Sequence, residues 1–318
     1  MQGRKSISLP AAADAAQVQS YTAGRRKPWH SEWLLFLLFV GPNLILFSIF
    51  TYWPLIYSGY LSMVRWDMIS PTKVWVGLDN YSYLLTDDTF MTVLKNTFLF
   101  TSGAVGGSLL IGLLVALLLN QPLRFRDGAR AVVFAPTLLS GAAISIVWVY
   151  IFDPRYGLMR QLLDPLNIPS PTWLRDPVWA MVAVIIVYIW KNLGFAAVIF
   201  LAGLQAIPKD LYEAAKVDGA GVFNRFRNVT LPMLSPISFF LLVTSILNTF
   251  QAFDIIQVMT AGGPVDATNT LIYYTYEQGF VAFNAGRAAA ASMILFVVML
   301  AVTLIQLRYA ERKVHYGS

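Results

Sequence analysis

Side chains able to do covalent or acid–base work are few in this chain, and nothing in their spacing makes them converge. Cysteine is absent, and the two histidines, His30 and His315, lie near opposite ends of the sequence. That removes a thiol nucleophile, a disulfide and a Cys-ligated metal, and it leaves no His-based triad or zinc set. The string Gly3-Arg4-Lys5-Ser6 lacks the spacing of a phosphate-cradling loop, so no ATP site is expected on the chain. No long apolar stretch carries Asp or Glu at its middle, which removes the carboxylates that a proton or sodium relay requires. Two polar features remain. One is Lys191, set inside an apolar stretch; the other is a charged segment containing Gly and Ala over residues 203–231.

The elements that hold these features are membrane spans. The 318 residues are 57% hydrophobic and 13% charged, about half the usual share of charge. A soluble fold of this length cannot hide so much apolar surface. Residues 33–64, 96–123, 131–152, 228–253 and 288–307 hold no Asp, Glu, Lys or Arg, and 177–201 is interrupted only by Lys191. Each stretch is long enough to cross a bilayer, which takes about 20 residues at a rise of 1.5 Å. An all-α integral membrane fold with six transmembrane helices is therefore expected, near 33–57, 94–120, 130–152, 178–202, 232–257 and 286–307. Hydrocarbon offers the backbone no partner, and no strand-like alternation suggests a barrel. Pro42, Pro54 and Pro136 fall inside spans, where membrane bundles tolerate kinks.

The first apolar stretch reads as an anchor, since it exceeds the h-region of a cleaved signal. Orientation follows from the basic residues. Fifteen of the twenty-three Lys and Arg fall in the N-terminal arm, the 124–130 and 209–227 loops and the tail, and the two faces carry +8 and −3. Both termini are thus expected in the cytoplasm, and the net charge of +6 is a topology signal met by lipid headgroups, not a nucleic-acid surface. Residues 1–28 read as a disordered cytoplasmic arm, 29–310 as the membrane domain and 311–318 as a cytoplasmic tail.

Within 203–231, Pro208 ends the preceding helix, and Asp210 is a candidate N-cap for a short helix running to Val217. Gly219 and Gly221 then permit positive φ for a sharp turn, and a second amphipathic stretch, 222–230, precedes Pro232. Small Ala214 and Ala215 suit insertion into a partner's groove; an interfacial loop resting on headgroups has the same spacing. Spacing alone leaves both open.

The string Glu213-Ala214-Ala215, then Asp218-Gly219-Ala220, Phe226, Leu231, Pro232 and Pro236 resembles the signature loop of binding-protein-dependent ABC importer permeases. Further strings resemble the carbohydrate-uptake group: Gly77-Leu-Asp-Asn80-Tyr81, Lys95-Asn96-Thr97, Phe152-Asp-Pro-Arg-Tyr-Gly157, Trp190-Lys191, Thr260-Ala-Gly262-Gly263-Pro264 and Gly286-Arg-Ala288. The C-terminal part is most similar to the first permease subunit of glycerol-3-phosphate transporters. This resemblance implies a type I importer in the bacterial inner membrane. Its parts would be two permease chains as a heterodimer, two cytoplasmic ATPase subunits and an external solute-binding protein. ATP and Mg would stay on the ATPase, with no cofactor or metal on this chain. Glu213, Ala214, Ala215, Asp218, Gly219 and Ala220 would form the coupling helix and its turn, seated in an ATPase cleft.

Lys191 near mid-span faces an aqueous path or an anion, or else snorkels or meets neighbouring carbonyls. Resemblance to the larger maltose permease subunit places Lys191, Asn192 and Phe195 at sugar-contacting positions with different residue types. In the fifth span Ser245, Asn248, Thr249 and Ala252 share one helical stripe, which lines the same path or bonds neighbouring helices. Gln251 and Asp254 lie at its outer end. A membrane-embedded transferase or a proton-coupled carrier would need polar clusters that the sequence lacks.

Overall fold

The computed structural model describes residues 29–122 and 124–313. The expected arm over 1–28 and the tail residues 314–318 lie outside the described residues. Two compact units divide at Tyr57. In the first, the helix Trp29–Phe47 runs into a π-helical stretch, Ser48–Tyr52, and then into the start of the helix Trp53–Leu61. Pro54 cannot donate to the ladder, and just before it the register widens, with the Trp53 N–H reaching the Ser48 carbonyl.

The second unit holds the remaining spans. The second span, Asp88–Leu119, begins six residues before the expected 94 because its outer turns are amphipathic; Phe90 and Val93 there are fully buried. The fourth span is Pro177–Ala206, with Pro177 in the first turn. The Asp176 carboxylate accepts from the N–H groups of Val178 and Trp179 at 2.9 and 3.0 Å, satisfying two donors that a helix start leaves free. The sixth is Ala285–Lys313, which runs six residues past the expected end at 307.

The third and fifth spans are not the continuous helices expected over 130–152 and 232–257. Arg126–Leu138 and Gly141–Ile151 meet at 101°, and Val222–Met233 and Ser235–Phe250 meet at 63°. Pro136, Pro232 and Pro236 stand at these breaks, where each removes a backbone donor and crowds the preceding turn. The fifth span also ends at Phe250, and Asp254–Met259 is a separate helix. A gap between charges measures apolar length and is blind to such bends. Counting each bent pair as one span, the described residues hold up to six.

Small residues let the second and fourth spans approach closely. A Cβ at Gly112 would stand 2.7 Å from that of Ala196, and one at Gly103 would stand 2.9 Å from Ile185 Cδ1. Lipid gives helices no hydrophobic drive to associate, so such close packing does the work.

Side-chain ties close the end of the bundle opposite the 203–231 loop. Asn80 donates its amide to the carbonyls of Ser62 and Val64 at 2.8 and 2.9 Å, and the Tyr81 hydroxyl donates to Ser62 Oγ. Asn96 donates to the carbonyls of Asp266 and Asn269, while Thr97 Oγ1 accepts from the Leu271 N–H at 2.8 Å. A two-residue strand pair (Val64 opposite Trp75, Arg65 opposite Val74) and the helix Asp79–Thr86 order what the sequence marks only as loop. Burial, with Asp87 nearby, pushes the Tyr274 phenol up to about 12, so it stays a neutral packing group. Asp153 is held below the usual carboxylate range by the Arg155 N–H it accepts from at 2.8 Å. Replacing Asn80 with Ala strands two buried carbonyls, which costs about 1–3 kcal/mol each. The expected outcome is a lower unfolding midpoint for the purified protein, with Tyr81→Phe milder.

Candidate functional site

The 203–231 loop forms the helix Lys209–Val217 followed by Val222–Arg225. Pro208, not Asp210, occupies the N-cap position, and Asp210 lies in the first turn, where a carboxylate favours the helix dipole. The helix ends in a complete Schellman turn. The Ala220 N–H bonds the Ala215 carbonyl at 2.9 Å, and the Gly219 N–H bonds that of Lys216 at 3.1 Å. Gly219 has φ +78°, as the turn requires, whereas Gly221 at φ −66° needs no glycine freedom and simply precedes the next helix.

Glu213, Ala214, Asp218 and Gly219 are exposed, while Ala215 and Ala220 are half-buried. Tyr212, which the sequence reading passed over, ties the helix down: its hydroxyl shares a 3.0 Å hydrogen bond with that of buried Thr230, and its ring packs on a core of Leu201, Leu204 and Leu234. Its place between exposed Leu211 and Glu213, with Ala215 at i+3, was the available signal.

The second site is a hollow of about 300 Å³ between the fourth span and the outer end of the fifth. It brings together four predicted residues, Lys191, Asn192, Asn248 and Ala252, and adds Tyr188, Gln251, Asp254 and Ile255. Phe195, Ser245 and Thr249 do not line it. Phe195 packs one turn deeper, against the core around Phe200. Thr249 is buried: its hydroxyl donates to the Ser245 carbonyl of its own helix at 2.6 Å and shares a 3.2 Å hydrogen bond with the Tyr188 hydroxyl, so this one member of the stripe bonds the neighbouring helix.

Lys191 is half-buried and makes no ion pair among the described residues. Its carbonyl accepts from Thr137 Oγ1 at 3.1 Å, across the break in the third span. Asn192 donates back to the Tyr188 carbonyl at 2.9 Å. The Asp254 carboxylate rests against the backbone of Gly141, in space that a Cβ there would fill. The hollow therefore offers one cation, one carboxylate, amides and a phenol: a set suited to binding a polar solute, with no group of three metal-ligating side chains among the described residues.

Apolar helices around a polar hollow, with a short amphipathic helix displayed at one end, define a membrane permease. The chain belongs to the family described as the binding-protein-dependent transport system inner membrane component, whose model matches residues 108–315. It is 36% identical to the sn-glycerol-3-phosphate transport system permease protein UgpA of Yersinia pestis, over 92% of this chain and 98% of that one. It is 38% identical to UgpA of Agrobacterium fabrum, over 88% and 96%. A chain of a bacterial alginate ABC transporter, solved with a periplasmic protein bound to an alginate pentasaccharide, superposes with TM-score 0.77 at 25% identity, covering 91% of this chain and 98% of that one. This chain is an inner-membrane transport component, not an enzyme.

Gly219→Ala places a Cβ at positive φ, at a cost of about 1 kcal/mol. Backbone amides of 209–220 in the assembled complex should exchange roughly fivefold faster as a result, and unchanged exchange would contradict the turn described.

Proposed function

We propose that this chain is one permease of an ATP-driven importer that works by alternating access. Its assembly holds a second permease, two ATPase subunits and an external solute-binding protein, and both termini of this chain lie in the cytoplasm. The observation that carries the reading is continuity. The fourth span runs unbroken from Tyr188 and Lys191 at the hollow to Ala206, three residues before the helix Lys209–Val217 starts. From Lys191 to Ala206 that is a rod of about 22 Å. A push on the 209–217 helix is thereby delivered to the wall of the hollow.

In this reading the exposed face around Glu213, Ala214 and Asp218 sits in a cleft of the ATPase, with Ala215, Gly219 and Ala220 shaping the knob. Closure of the ATPase dimer on ATP moves the helix and reorients the bundle. Such a cycle needs ATP and the loaded binding protein to favour different states of the same bundle. Lys191, Asn192, Asn248 and Ala252 line the solute path; Phe195, Ser245 and Thr249 support it from behind.

The solute is a sugar or sugar-like anion, with glycerol-3-phosphate first, the solute in the name of the UgpA relatives, or a phosphodiester related to it. The alginate transporter favours an acidic oligosaccharide as a second reading. Both carry an anionic group for Lys191 and hydroxyls for the amides.

Glu213→Lys is expected to insert normally while transport by the reconstituted complex collapses; transport at the wild-type rate would remove the docking assignment. Lys191→Ala and Asn248→Ala should each raise apparent KM, Lys191→Ala by roughly tenfold for an anionic solute. Unchanged KM and kcat in both would take these residues out of the path.

A further inference from the structure

A second hollow, of about 750 Å³, opens at the end of the bundle that carries the 209–217 helix. Its apolar wall is Leu114 and Leu117 from the last turns of the second span and Leu204 from the last turn of the fourth. Leu114 is 52% exposed, while Leu204 belongs to the core on which Leu117 packs, so the wall runs from an open rim into the protein interior. At its rim Val222 and Phe223 are 76% and 70% exposed, although they belong to a loop helix that has no core to fill there. The volume lies in the range of a small-molecule site.

One cation lines this hollow. Arg225 forms no ion pair among the described residues, and its Nε is buried without a hydrogen-bond partner. A guanidinium nitrogen withdrawn from water and left unpaired is costly, and a planar fork of donors matches a phosphate. The other polar groups are already engaged or neutral: Tyr212 and Thr230 bond each other, and Asn120 and Gln121 are amides. Glu213, Ala214 and Asp218, the face read above as the ATPase contact, do not line it.

We propose that this hollow is a binding site for an anionic phospholipid of the inner leaflet, with the phosphate on Arg225 and the upper acyl chain along Leu114, Leu117 and Phe223. The leucine wall favours a lipid over a free anion, because a soluble phosphate leaves that wall wet. The site borders Tyr212, so an occupant braces the helix Lys209–Val217 from behind and makes coupling sensitive to lipid charge.

The test uses the assembled transporter, both permeases with the ATPase dimer, in nanodiscs of phosphatidylcholine with phosphatidylglycerol added, and counts retained lipid by native mass spectrometry. Retention of phosphatidylglycerol should fall on the order of tenfold in Arg225→Gln and survive in Arg225→Lys. The exposed rim variant Val222→Asp, which leaves the core untouched, should also lose it by charge repulsion. Arg126→Gln, the same loss of charge on the neighbouring loop, should retain it. Equal retention in Arg225→Gln and Arg126→Gln overturns the proposal. So does displacement of the lipid by soluble glycerol phosphate, which would mark a free-anion site. Loss of the ATPase subunits from Val222→Asp or Arg225→Gln overturns it in favour of a protein occupant.

Discussion

The close seat of the fourth span on the second is the contact on which both sites depend. The fourth span carries Tyr188, Lys191 and Asn192 at the hollow, and the helix Lys209–Val217 follows directly from its inner end. It meets the second span where Gly103, Gly107 and Gly112 leave room for Ile185, Ile189 and Ala196. A β-carbon at any of these positions would require a neighbour to shift. Packing of small residues is what lipid leaves available to hold helices together, and here it fixes a rod with the hollow beside one part of it and the helix Lys209–Val217 at its inner end. The third span reinforces it: Gly194 admits the Val133 carbonyl, and Thr137 binds the Lys191 carbonyl.

Two interruptions of the helical ladder border the polar hollow. The 101° break in the third span places Thr137 against Lys191 and Gly141 against Asp254, so both sides of the break touch groups of the hollow. The break after Phe250 turns the chain so that Gln251, Ala252 and Asp254 line one wall. Backbone that leaves the helical ladder at membrane depth is tolerated where it is buried in protein or faces a polar cavity. Both breaks meet that condition.

Much of this was legible in the sequence. Gaps between charges located the spans, and the Glu213–Ala220 string marked the displayed helix with its end at Val217 and its turn at Gly219. The family strings also have physical readings. Asn80 and Asn96 are bonded to distant carbonyls, and Gly157 and Gly286 let other carbonyls come close. What the sequence concealed was direction. The stripe Ser245, Asn248, Thr249 and Ala252 has one period, yet Asn248 and Ala252 face the hollow while Thr249 turns to Tyr188. A periodic pattern does not say which neighbour a helix edge will meet. Gln251 and Asp254 stand at the outer end of the fifth span, as the sequence indicated; only the bend after Phe250, which turns them onto the hollow, left no trace in local propensity. Tyr188 was missed because an aromatic amid apolar residues looks like any other core residue, and Tyr212 because its charged neighbours drew the reading to the exposed face of its helix.

Gly141 and Asp254 occupy one another's space. The carboxylate lies where a β-carbon on residue 141 would be, so position 141 cannot gain a side chain while Asp254 keeps its present rotamer. A side chain at 141 has to push the carboxylate out of this space, which changes what Asp254 presents to the hollow. Two residues 113 positions apart in the chain are thereby tied through the rotamer of one carboxylate.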